Sequence, residues 1–344
     1  MSFAIEVNIN FNVSVSANLG EHPFVHLANL RVVCDFYKLR LLCIDLVSDN
    51  EVDWTGLFFI NSTGKRLHIF SGGRFGYAGF LPVSAKIPIS TYLPLLEGKL
   101  KDAGVASCSL AGTYLLNNDQ CPFCDLWSIY EICYLMATTH DVIDSAGLKL
   151  KKAKIRSSLS RCLKKANDLG LTCRVTKSPK CLQDWYEHCH LVRMDEISGK
   201  RWDFDLLLNF INSGTASLIV VEDRSESVVG GCIFLESRRV LELFIMSTPA
   251  VHQENGANYI LTETLYSRAL EMGMEYINWQ ASNPPVGSLV EYKKKWGAHE
   301  KKFFIYNLLL DASVTKHSLI EEFPDFFIFP YTKLDMPSEG VSCL

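Results

Sequence analysis

The sequence predicts an α/β protein of two domains, in which the second domain repeats the element order of the first. Strand-like apolar runs alternate with stretches whose apolar residues recur at helical spacing. Residues 1–140 give strand, helix, three strands, helix and strand, and residues 141–312 repeat this order without obvious sequence identity. A tail follows over residues 313–344. A chain of 344 residues is long enough for one large or two ordinary domains.

The composition is that of a soluble globular protein. Hydrophobic residues make up 48% and charged residues 21%, and no apolar run approaches the roughly 18 to 20 residues that span a bilayer. The N-terminus alternates apolar and polar residues, unlike a signal peptide, so we expect a cytoplasmic protein without a membrane span. Because the net charge is −4, any polyanion would have to bind a local basic patch.

The sequence gives little support for a metal or redox site. Most of the twelve cysteines are scattered through apolar segments, where a thiol behaves as a small core residue. The exception is Cys121-Pro-Phe-Cys124, but a zinc site needs two further ligands, and none follows with motif spacing. His188 and His190 point about 200° apart on a helix and cannot bind one metal together. We therefore expect no metal.

In the first domain, each element has a pattern or a turn residue that predicts it. Alternating apolar and polar residues predict a half-buried strand over residues 3–15. A helix over residues 90–103 should be capped by Ser90 and ended by Gly104. The other predictions are a helix over residues 23–37 and strands over 39–47, 56–61, 66–70 and 105–110.

A glycine-rich segment, Gly72-Gly-Arg-Phe-Gly-Tyr-Ala-Gly79, interrupts the first domain. Glycine lets the backbone approach a ligand closely or adopt a positive φ. The spacing does not match a phosphate-binding loop or a dinucleotide fingerprint, because no strand leads directly into a helix there. The segment is either a structural turn or a substrate-facing loop, and the sequence leaves both readings open.

The second domain begins with a basic helix predicted over residues 146–169 and ended by Gly170. No acidic residue interrupts residues 146–167. Such a face is often only a solvated surface; the alternative is a binding site for a polyanion such as a tRNA or a nucleotide-linked substrate. The remaining predictions are a helix over 182–193, strands over 228–235, 240–247, 276–280 and 303–310, a helix over 257–272, and a basic turn at 293–295.

The segment before the last strand carries the pattern Gly-Ser-Leu-x-x-aromatic-Lys-x-x-aromatic-Gly. Its residues are Gly287, Ser288, Leu289, Tyr292, Lys293, Trp296 and Gly297. This pattern resembles that of the Fem-type (FemABX-like) aminoacyltransferases of the GNAT superfamily. Tyr77, Gly79 and Pro82 are similar to the Tyr-Gly-Gly-Pro turn of that family, with Ala78 in place of a glycine. The basic helix resembles the linker helix of the family.

The resemblance implies two tandem GNAT-like domains, each a mixed central sheet flanked by helices. It also implies an acyltransferase or aminoacyltransferase that forms an amide bond on an amine acceptor. Lys293 would be the catalytic residue beside the acyl ester, unless the three lysines are only a solvated corner. The implied donor contacts are Lys294, Lys295, Lys151, Lys152 and Arg156, and the implied acceptor contacts are Tyr77, Gly79, Glu196, Arg201 and Trp202. No carboxylate stands out in the sequence as a general base.

One short segment bears on the identity of the acyl donor. The resemblance implies that a coenzyme A site would have the form Gln/Arg-x-x-Gly-x-Gly/Ala, and this chain has Gln253-Glu-Asn-Gly256-Ala-Asn258. Gln253 and Gly256 match as donor-binding residues, whereas Glu254 and Asn258 suit a diphosphate poorly. We expect aminoacyl-tRNA as cosubstrate, with acyl-CoA as the alternative, and no tightly bound cofactor. The acceptor is a small molecule or a peptide. A catalytically inert double-GNAT binding module is the third alternative.

Overall fold

The computed structural model describes residues 4–10, 26–61, 66–71, 79–111, 128–138, 143–144, 147–148, 153–281 and 287–314. These residues fall into two compact units. Unit 1 draws on Met1–Leu19, Val33–Cys133 and Lys301–Leu344, and unit 2 draws on Gly20–Val32 and Tyr134–Glu300. The chain therefore completes unit 2 before it returns to unit 1.

The described elements follow one another in chain order. The earlier ones are β1 (Ile5–Asn10), α1 (Leu27–Tyr37), β2 (Arg40–Ser48), β3 (Glu51–Ile60), β4 (Leu67–Phe70), β5 (Leu81–Pro82), α2 (Leu93–Asp102), β6 (Val105–Ala111), β7 (Ser128–Thr138), β8 (Ile143–Asp144) and β9 (Gly147–Leu148). The later ones are α3 (Ala153–Asp168), β10 (Thr172–Thr176), α4 (Pro179–Trp185), a π-helical turn (Tyr186–Leu191), α5 (Val192–Glu196), α6 (Phe204–Asn212), β11 (Ala216–Glu222), β12 (Val228–Glu236), β13 (Val240–Ser247), α7 (Ala250–Gln253), α8 (Ala257–Glu271), β14 (Tyr276–Ala281), α9 (Gly287–Lys295) and β15 (His299–Leu309).

Unit 1 is a sheet with the strand order β1-β2-β3-β4-β6-β15, and β5 pairs with β3. Strands β4 and β6 are parallel, and the other described pairs are antiparallel. Leu96 and Leu100 of α2 share one buried apolar cluster with Phe58, Ile69 and Leu308 of the sheet. Burying each such side chain contributes about 1.5–3 kcal/mol, which holds α2 on the sheet.

A buried carboxylate organises the turn that follows β5. Asp53 has no exposed surface, and its oxygens accept hydrogen bonds from the hydroxyls of Ser48, Ser84 and Tyr92 and from the N–H of Lys86. Burial alone raises the pKa of Asp53, but these four donors outweigh it and hold the pKa well below its usual range. The ionised carboxylate therefore fastens residues 84–86 to β3.

The strands of unit 2 have the order β7-β14-β13-β12-β11-β10. Here β13 and β14 are parallel, and the other described neighbours are antiparallel. Leu261 and Leu265 of α8 share a buried cluster with Ala166 of α3, Ile277 of β14 and Trp296. Helices α3 and α8 therefore cover one face of this sheet.

The structure confirms the elements predicted over residues 228–280. The hairpin of β12 and β13 and the strand β14 lie where the sequence predicts them. Helix α8 is followed by Gly273, which has the positive φ of 68° that a helix-ending glycine adopts.

The predicted basic turn at residues 293–295 is wrong, because these lysines form the last turn of α9. Cations are favoured at a helix C-terminus, where they oppose the negative end of the helix dipole. Gly297, with a φ of 79°, follows the helix. The pattern that looked like a turn is therefore the end of a helix.

Three other details of the sequence analysis are also wrong. Ser90 does not cap α2: it lies in a 3₁₀ turn over Ile89–Tyr92, and Pro94 occupies the first turn of α2, where the N–H that it lacks costs no hydrogen bond. The basic helix begins at Ala153 rather than at residue 146, since Gly147–Leu148 forms β9. The helix predicted over residues 182–193 is interrupted by the π-helical turn.

Several predictions fall on residues whose structure is not described. These are the Cys121/Cys124 pair and most of the glycine-rich segment. Within the described ranges, no helix has both the length and the apolar character that crossing a membrane requires. Nor do three His, Cys, Asp or Glu side chains come together there in a way that could hold a metal ion.

Candidate active site

The two parallel strands of unit 2 separate along their length. Strands β13 and β14 pair at Val240↔Tyr276, Leu241↔Ile277 and Glu242↔Asn278, and the pairing stops there. Strand β13 continues to Ser247 and β14 to Ala281. In open α/β sheets, ligands bind beyond the carboxyl ends of parallel strands, where neighbouring strands part. The point where β13 and β14 diverge is therefore the candidate site.

A bulge lies on each strand just beyond that point. The register between β12 and β13 shifts at Ile233/Phe234, which leaves Phe244 as the extra residue of β13. The register between β14 and β7 shifts between Asn278 and Ala281. Bulges end pairing and redirect side chains, and they recur next to active sites. In unit 1, by contrast, the register of the parallel pair β4–β6 shifts early, between Leu67 and His68, and the strands then stay paired up to Phe70, the last residue of β4.

A buried carboxyl group lies at the divergence. Glu242 has no exposed surface; its Oε2 accepts a hydrogen bond of 3.0 Å from Asn278 Nδ2, and its Oε1 accepts one from Gln280 Nε2. Burial raises the pKa of Glu242 well above its usual range, and the two amides and the charge of Lys293 oppose that rise. We call Glu242, Asn278, Gln280 and Lys293 the Glu242 cluster.

Lys293 enters this cluster from α9. Its side chain is buried, with only 6% of the residue exposed. Its Nζ donates hydrogen bonds of 2.7 Å to the carbonyl oxygen of Trp279 and of 3.4 Å to that of Gln280. Gln280 has a φ of 65°, a left-handed backbone conformation that residues other than glycine rarely adopt. Its N–H donates to Asn278 Oδ1 at 3.1 Å.

Aromatic residues hold α9 against α8 on both sides of Lys293. The Tyr292 hydroxyl donates to the carbonyl oxygen of Asn258 at 2.9 Å. The Tyr266 hydroxyl donates to the carbonyl oxygen of Trp296 at 2.6 Å, and the side chain of Trp296 is fully buried. These contacts fix the helical turn that carries Lys293.

The predicted donor-binding residues between α7 and α8 contact backbone carbonyl groups of the protein itself. Gln253 Nε2 donates to the carbonyl oxygen of Thr248 at 2.6 Å, and Lys165 of α3 donates to that of Glu254 at 2.6 Å. Gly256, the residue before α8, has a φ of 87° and packs so closely that a Cβ there would lie 2.7 Å from the carbonyl oxygen of Cys162. Each of these contacts fixes the start of α8.

The other predicted donor residues are only partly described. Lys294 pairs with Glu300 at 2.6 Å, and Lys295 is half-buried at the end of α9. Arg156 lies on α3, but its side chain is not among those described. Lys151 and Lys152 lie outside the described residues.

The predicted acceptor residues Glu196, Arg201 and Trp202 lie in or next to the loop after α5, and each has its own contacts. Glu196 accepts a hydrogen bond from the N–H of Ala250 at 3.1 Å and pairs with Arg193 at 2.8 Å, which lowers its pKa. Arg201 forms an ion pair with Asp195. The Trp202 ring lies 4.7 Å from that of Phe244, the bulged residue of β13. Phe244 is two residues beyond Glu242, so this contact places the Trp202 ring against the strand that carries Glu242. Gly79 is a buried residue of unit 1, and Tyr77 is not described.

A buried histidine that the sequence analysis did not select links this loop to β13. His190, in the π-helical turn, has its Nδ1 3.0 Å from Ser247 Oγ, and its Nε2 accepts the N–H of Trp202 at 3.2 Å. Because Nε2 is the acceptor, the proton of the neutral ring is on Nδ1, which donates to Ser247. Short π-helical turns recur at functional sites. His190 therefore positions Trp202 near the end of β13.

Glu242 is the main residue that the sequence analysis missed. A signal was present, since Glu242 is the only charged residue in the apolar strand Val240–Ser247. A lone carboxyl group in a buried strand is rarely structural, because burying it without partners is costly. Its pairing with Asn278, 36 residues along the chain, follows only from the parallel register.

Comparisons with known proteins bear on the fold. No protein family and no curated protein matches the sequence. Among solved structures, the chain is similar to FemX at 12% identity, covering 88% of this chain and 94% of FemX with a TM-score of 0.63. It is similar to the C-terminal domain of a putative lysylphosphatidylglycerol synthetase from Agrobacterium fabrum, at 11% identity, 81% and 87% coverage and a TM-score of 0.54. It also resembles a tandem GNAT protein from the clavulanic acid biosynthesis pathway, at 7% identity, 90% and 100% coverage and a TM-score of 0.53.

The chain therefore has a tandem GNAT fold, of the kind that FemX also has. This confirms the two GNAT-like domains, each a mixed sheet flanked by helices, that the sequence predicted. At these identities the likeness establishes the fold alone.

Proposed function

We propose that this protein is an acyltransferase that forms an amide bond on an amine acceptor, with aminoacyl-tRNA as its acyl donor. The observation that carries the proposal is the buried Glu242 carboxyl at the divergence of β13 and β14. A neutral amine that attacks an acyl ester has to give up one proton as the amide forms, and a carboxylate whose pKa is raised well above its usual range is a suitable acceptor for that proton. The tandem GNAT fold supports the same reaction class.

The reaction that we propose balances without any further reagent. The acceptor attacks as a neutral amine: its nitrogen adds to the carbonyl carbon of the aminoacyl ester, and one nitrogen-bound proton passes to the ionised Glu242. The carbon–nitrogen bond forms, the bond from that carbon to the ribose oxygen breaks, and the proton returns to the ribose oxygen as the tRNA leaves. Glu242 thus ends in its starting protonation state.

Gln280 connects the buried carboxyl with solvent. Glu242 has no exposed surface, whereas Gln280 is partly exposed and donates its side-chain amide to Glu242. The amino group of an acceptor offers the same kind of N–H donor as this amide. We propose that the acceptor displaces the Gln280 side chain and so contacts Glu242 directly.

The preference for tRNA over coenzyme A rests on the start of α8 and on the charge of α3. At the start of α8, Gln253 and Lys165 are bonded to backbone carbonyls, and Glu254 adds a negative charge where a diphosphate would lie. On α3, Arg161 and Lys164 are exposed, although Lys164 also pairs with Asp168. Exposed basic side chains on one helix attract the phosphates of a nucleic acid. The donor residues Lys151, Lys152 and Arg156 would extend this surface.

The acceptor side of the site is proposed to be the loop that carries Trp202. Its ring lies against Phe244, two residues beyond Glu242, and it is held there through His190. Apolar rings on the strand that also carries the carboxyl suit an amine borne on an apolar or a planar group. Arg201 and Glu196 flank this loop as further acceptor contacts.

The test is a single-turnover transfer assay with bulk tRNA charged with radiolabelled amino acids. Excess protein is mixed with the charged tRNA and a panel of amines: a lysine-containing peptide, a glycyl peptide and glucosamine. Mild alkali then hydrolyses the remaining ester but not an amide. We expect alkali-stable label on at least one amine, and less of it as salt is raised, because phosphate contacts weaken with salt.

Acetyl-CoA serves as the control donor. We expect it neither to raise the melting temperature of the protein nor to yield an acetylated amine. A rise in melting temperature together with acetyl transfer would contradict the tRNA donor and identify an acyl-CoA-dependent N-acyltransferase. If neither donor binds nor reacts, the protein is an inert double-GNAT module and the proposed function is wrong.

A further inference from the structure

We propose that Lys293 is a positioning residue, which holds Gln280 in its left-handed conformation and thereby holds the side chain of Gln280 on Glu242. The sequence-based expectation was that the ammonium contacts the acyl ester. The catalytic meaning of the positioning role rests on the proposed function, whereas the role itself can be measured without any transfer reaction.

The ammonium of Lys293 lies against the backbone of β14. Lys293 is buried, and its Nζ donates to two successive carbonyl oxygens, those of Trp279 and Gln280. A charged donor makes stronger hydrogen bonds than a neutral one, particularly where water is excluded. These two carbonyls belong to the bulged residues of β14. The ammonium is therefore hydrogen-bonded to the backbone at the bulge of β14.

The hydrogen bonds from Lys293 offset backbone strain at Gln280. Gln280 has a φ of 65°, which is unfavourable for any residue with a Cβ. Such conformations persist only where their surroundings hold them. Three hydrogen bonds hold Gln280: its N–H to Asn278, its carbonyl oxygen to Lys293 and its side chain to Glu242. Of these three partners, Lys293 is the cation and the one that α9 fixes from outside the strand.

The side chain of Gln280 links the bulge to the Glu242 carboxyl. In a relaxed bulge the Gln280 side chain turns away from Glu242, and the carboxylate loses one of its two amide donors. Among the described residues, Lys293 is the charged group that acts on this carboxyl, and Asn278 and Gln280 are its hydrogen-bond donors. Losing Lys293 removes a positive charge and, through Gln280, a donor. Both losses disfavour the ionised carboxylate, so both move its titration to higher pH.

The experiment uses the full-length protein and two readouts that need no substrate. The first is backbone amide exchange of peptides covering residues 277–281. The second is the titration of the Glu242 carboxyl, followed by NMR with ¹³C-labelled glutamate and assigned from the signal that Glu242→Gln removes. In Lys293→Met we expect amide exchange about tenfold faster or more, because a charged hydrogen bond is lost. We also expect the titration of Glu242 to move to higher pH.

Two comparison variants separate positioning from a general effect of charge or folding. Lys294→Met removes the neighbouring ammonium of α9, which pairs with exposed Glu300, and should leave both readouts as in the wild type. Gln280→Gly accepts the left-handed conformation without strain. In that background, adding Lys293→Met should change amide exchange by less than about threefold, because the bulge then no longer depends on the ammonium. If Lys293→Met does not fold, Lys293→Arg, which keeps the charge, takes its place with a smaller change expected in both readouts.

The outcomes also separate this inference from the proposed function. If Lys293→Met leaves amide exchange and the Glu242 titration unchanged, Lys293 does not position Gln280 and the inference is overturned. If both readouts change as expected but the wild type transfers no acyl group, the positioning role stands and the proposed function fails. Equal acceleration of exchange by Lys293→Met in the wild-type and Gln280→Gly backgrounds also contradicts the inference.

Discussion

Replacing Gly256 by alanine should weaken the packing of α3 on α8 by about 2–5 kcal/mol. Gly256 has a φ of 87°, and placing a Cβ in the left-handed region costs about 1–2 kcal/mol. The new methyl would also lie 2.7 Å from the carbonyl oxygen of Cys162 and 3.2 Å from the Cβ of Ala166. Because the first of these atoms is backbone, α3 has to shift, and such overpacking costs a further 1–3 kcal/mol or so.

Gly273→Ala is the matched control, because Gly273 lies at the other end of α8 with a φ of 68° and nothing within 4 Å of the added Cβ. Native-state amide exchange of peptides from α8 reports the free energy of opening in both variants. Gly273→Ala shows the conformational cost alone. Gly256→Ala should exchange faster than this control by about fivefold to a hundredfold, which corresponds to the 1–3 kcal/mol of overpacking.

The comparison has a clear contradicting result. Equal exchange in the two variants would mean that α3 does not press on the start of α8. The segment from Gln253 to Gly256 would then be open for a donor diphosphate, and the argument for tRNA over coenzyme A would lose its structural support.

Three further predictions concern stability. Asp53→Asn should destabilise unit 1 by about 2–4 kcal/mol in urea unfolding. Because the pKa of Asp53 is lowered in the folded state, this difference in stability should be present above about pH 4 and disappear as the pH falls further. Glu242→Gln should become progressively more stable relative to the wild type as the pH rises above about 4. The raised pKa of Glu242 in the folded state makes the wild type lose stability over this range. A difference in unfolding free energy between the two proteins that is constant with pH would contradict this. Tyr292→Phe, which loses its bond to Asn258, should cost about 1 kcal/mol.

The elements that the sequence predicted well are those whose signals are local. Helix α8 has apolar residues at helical spacing and a glycine directly after it, and the hairpin of β12 and β13 has apolar runs around a polar turn. The basic end of α9 was misread because Lys293–Lys295 is equally typical of a turn. Tyr292 and Trp296 pack in the same apolar cluster as α8, and this packing favours the helix over a turn.

The candidate site was predicted only in part, because its contacts join distant parts of the chain. Lys293 was selected from a motif, but the carbonyls that it binds lie 13 and 14 residues earlier. His190 and Ser247 are 57 residues apart, and no sequence pattern relates them. The left-handed conformation of Gln280 has no local sequence signal either, since glutamine carries no preference for positive φ. Register and bulges, which arise only in the folded sheet, bring these residues together.

The most direct test of the account is the rate of amide formation by Glu242→Gln beside that of Glu263→Gln. Glu263 is a partly buried glutamate of α8 whose pKa is also raised by burial, but it lies outside the Glu242 cluster. With charged tRNA and a reactive amine, Glu242→Gln should be slower than the wild type by about 10²- to 10⁴-fold, and Glu263→Gln should be within about twofold of it. A Glu242→Gln rate within about threefold of the wild type would contradict the assignment of the active site to the divergence of β13 and β14.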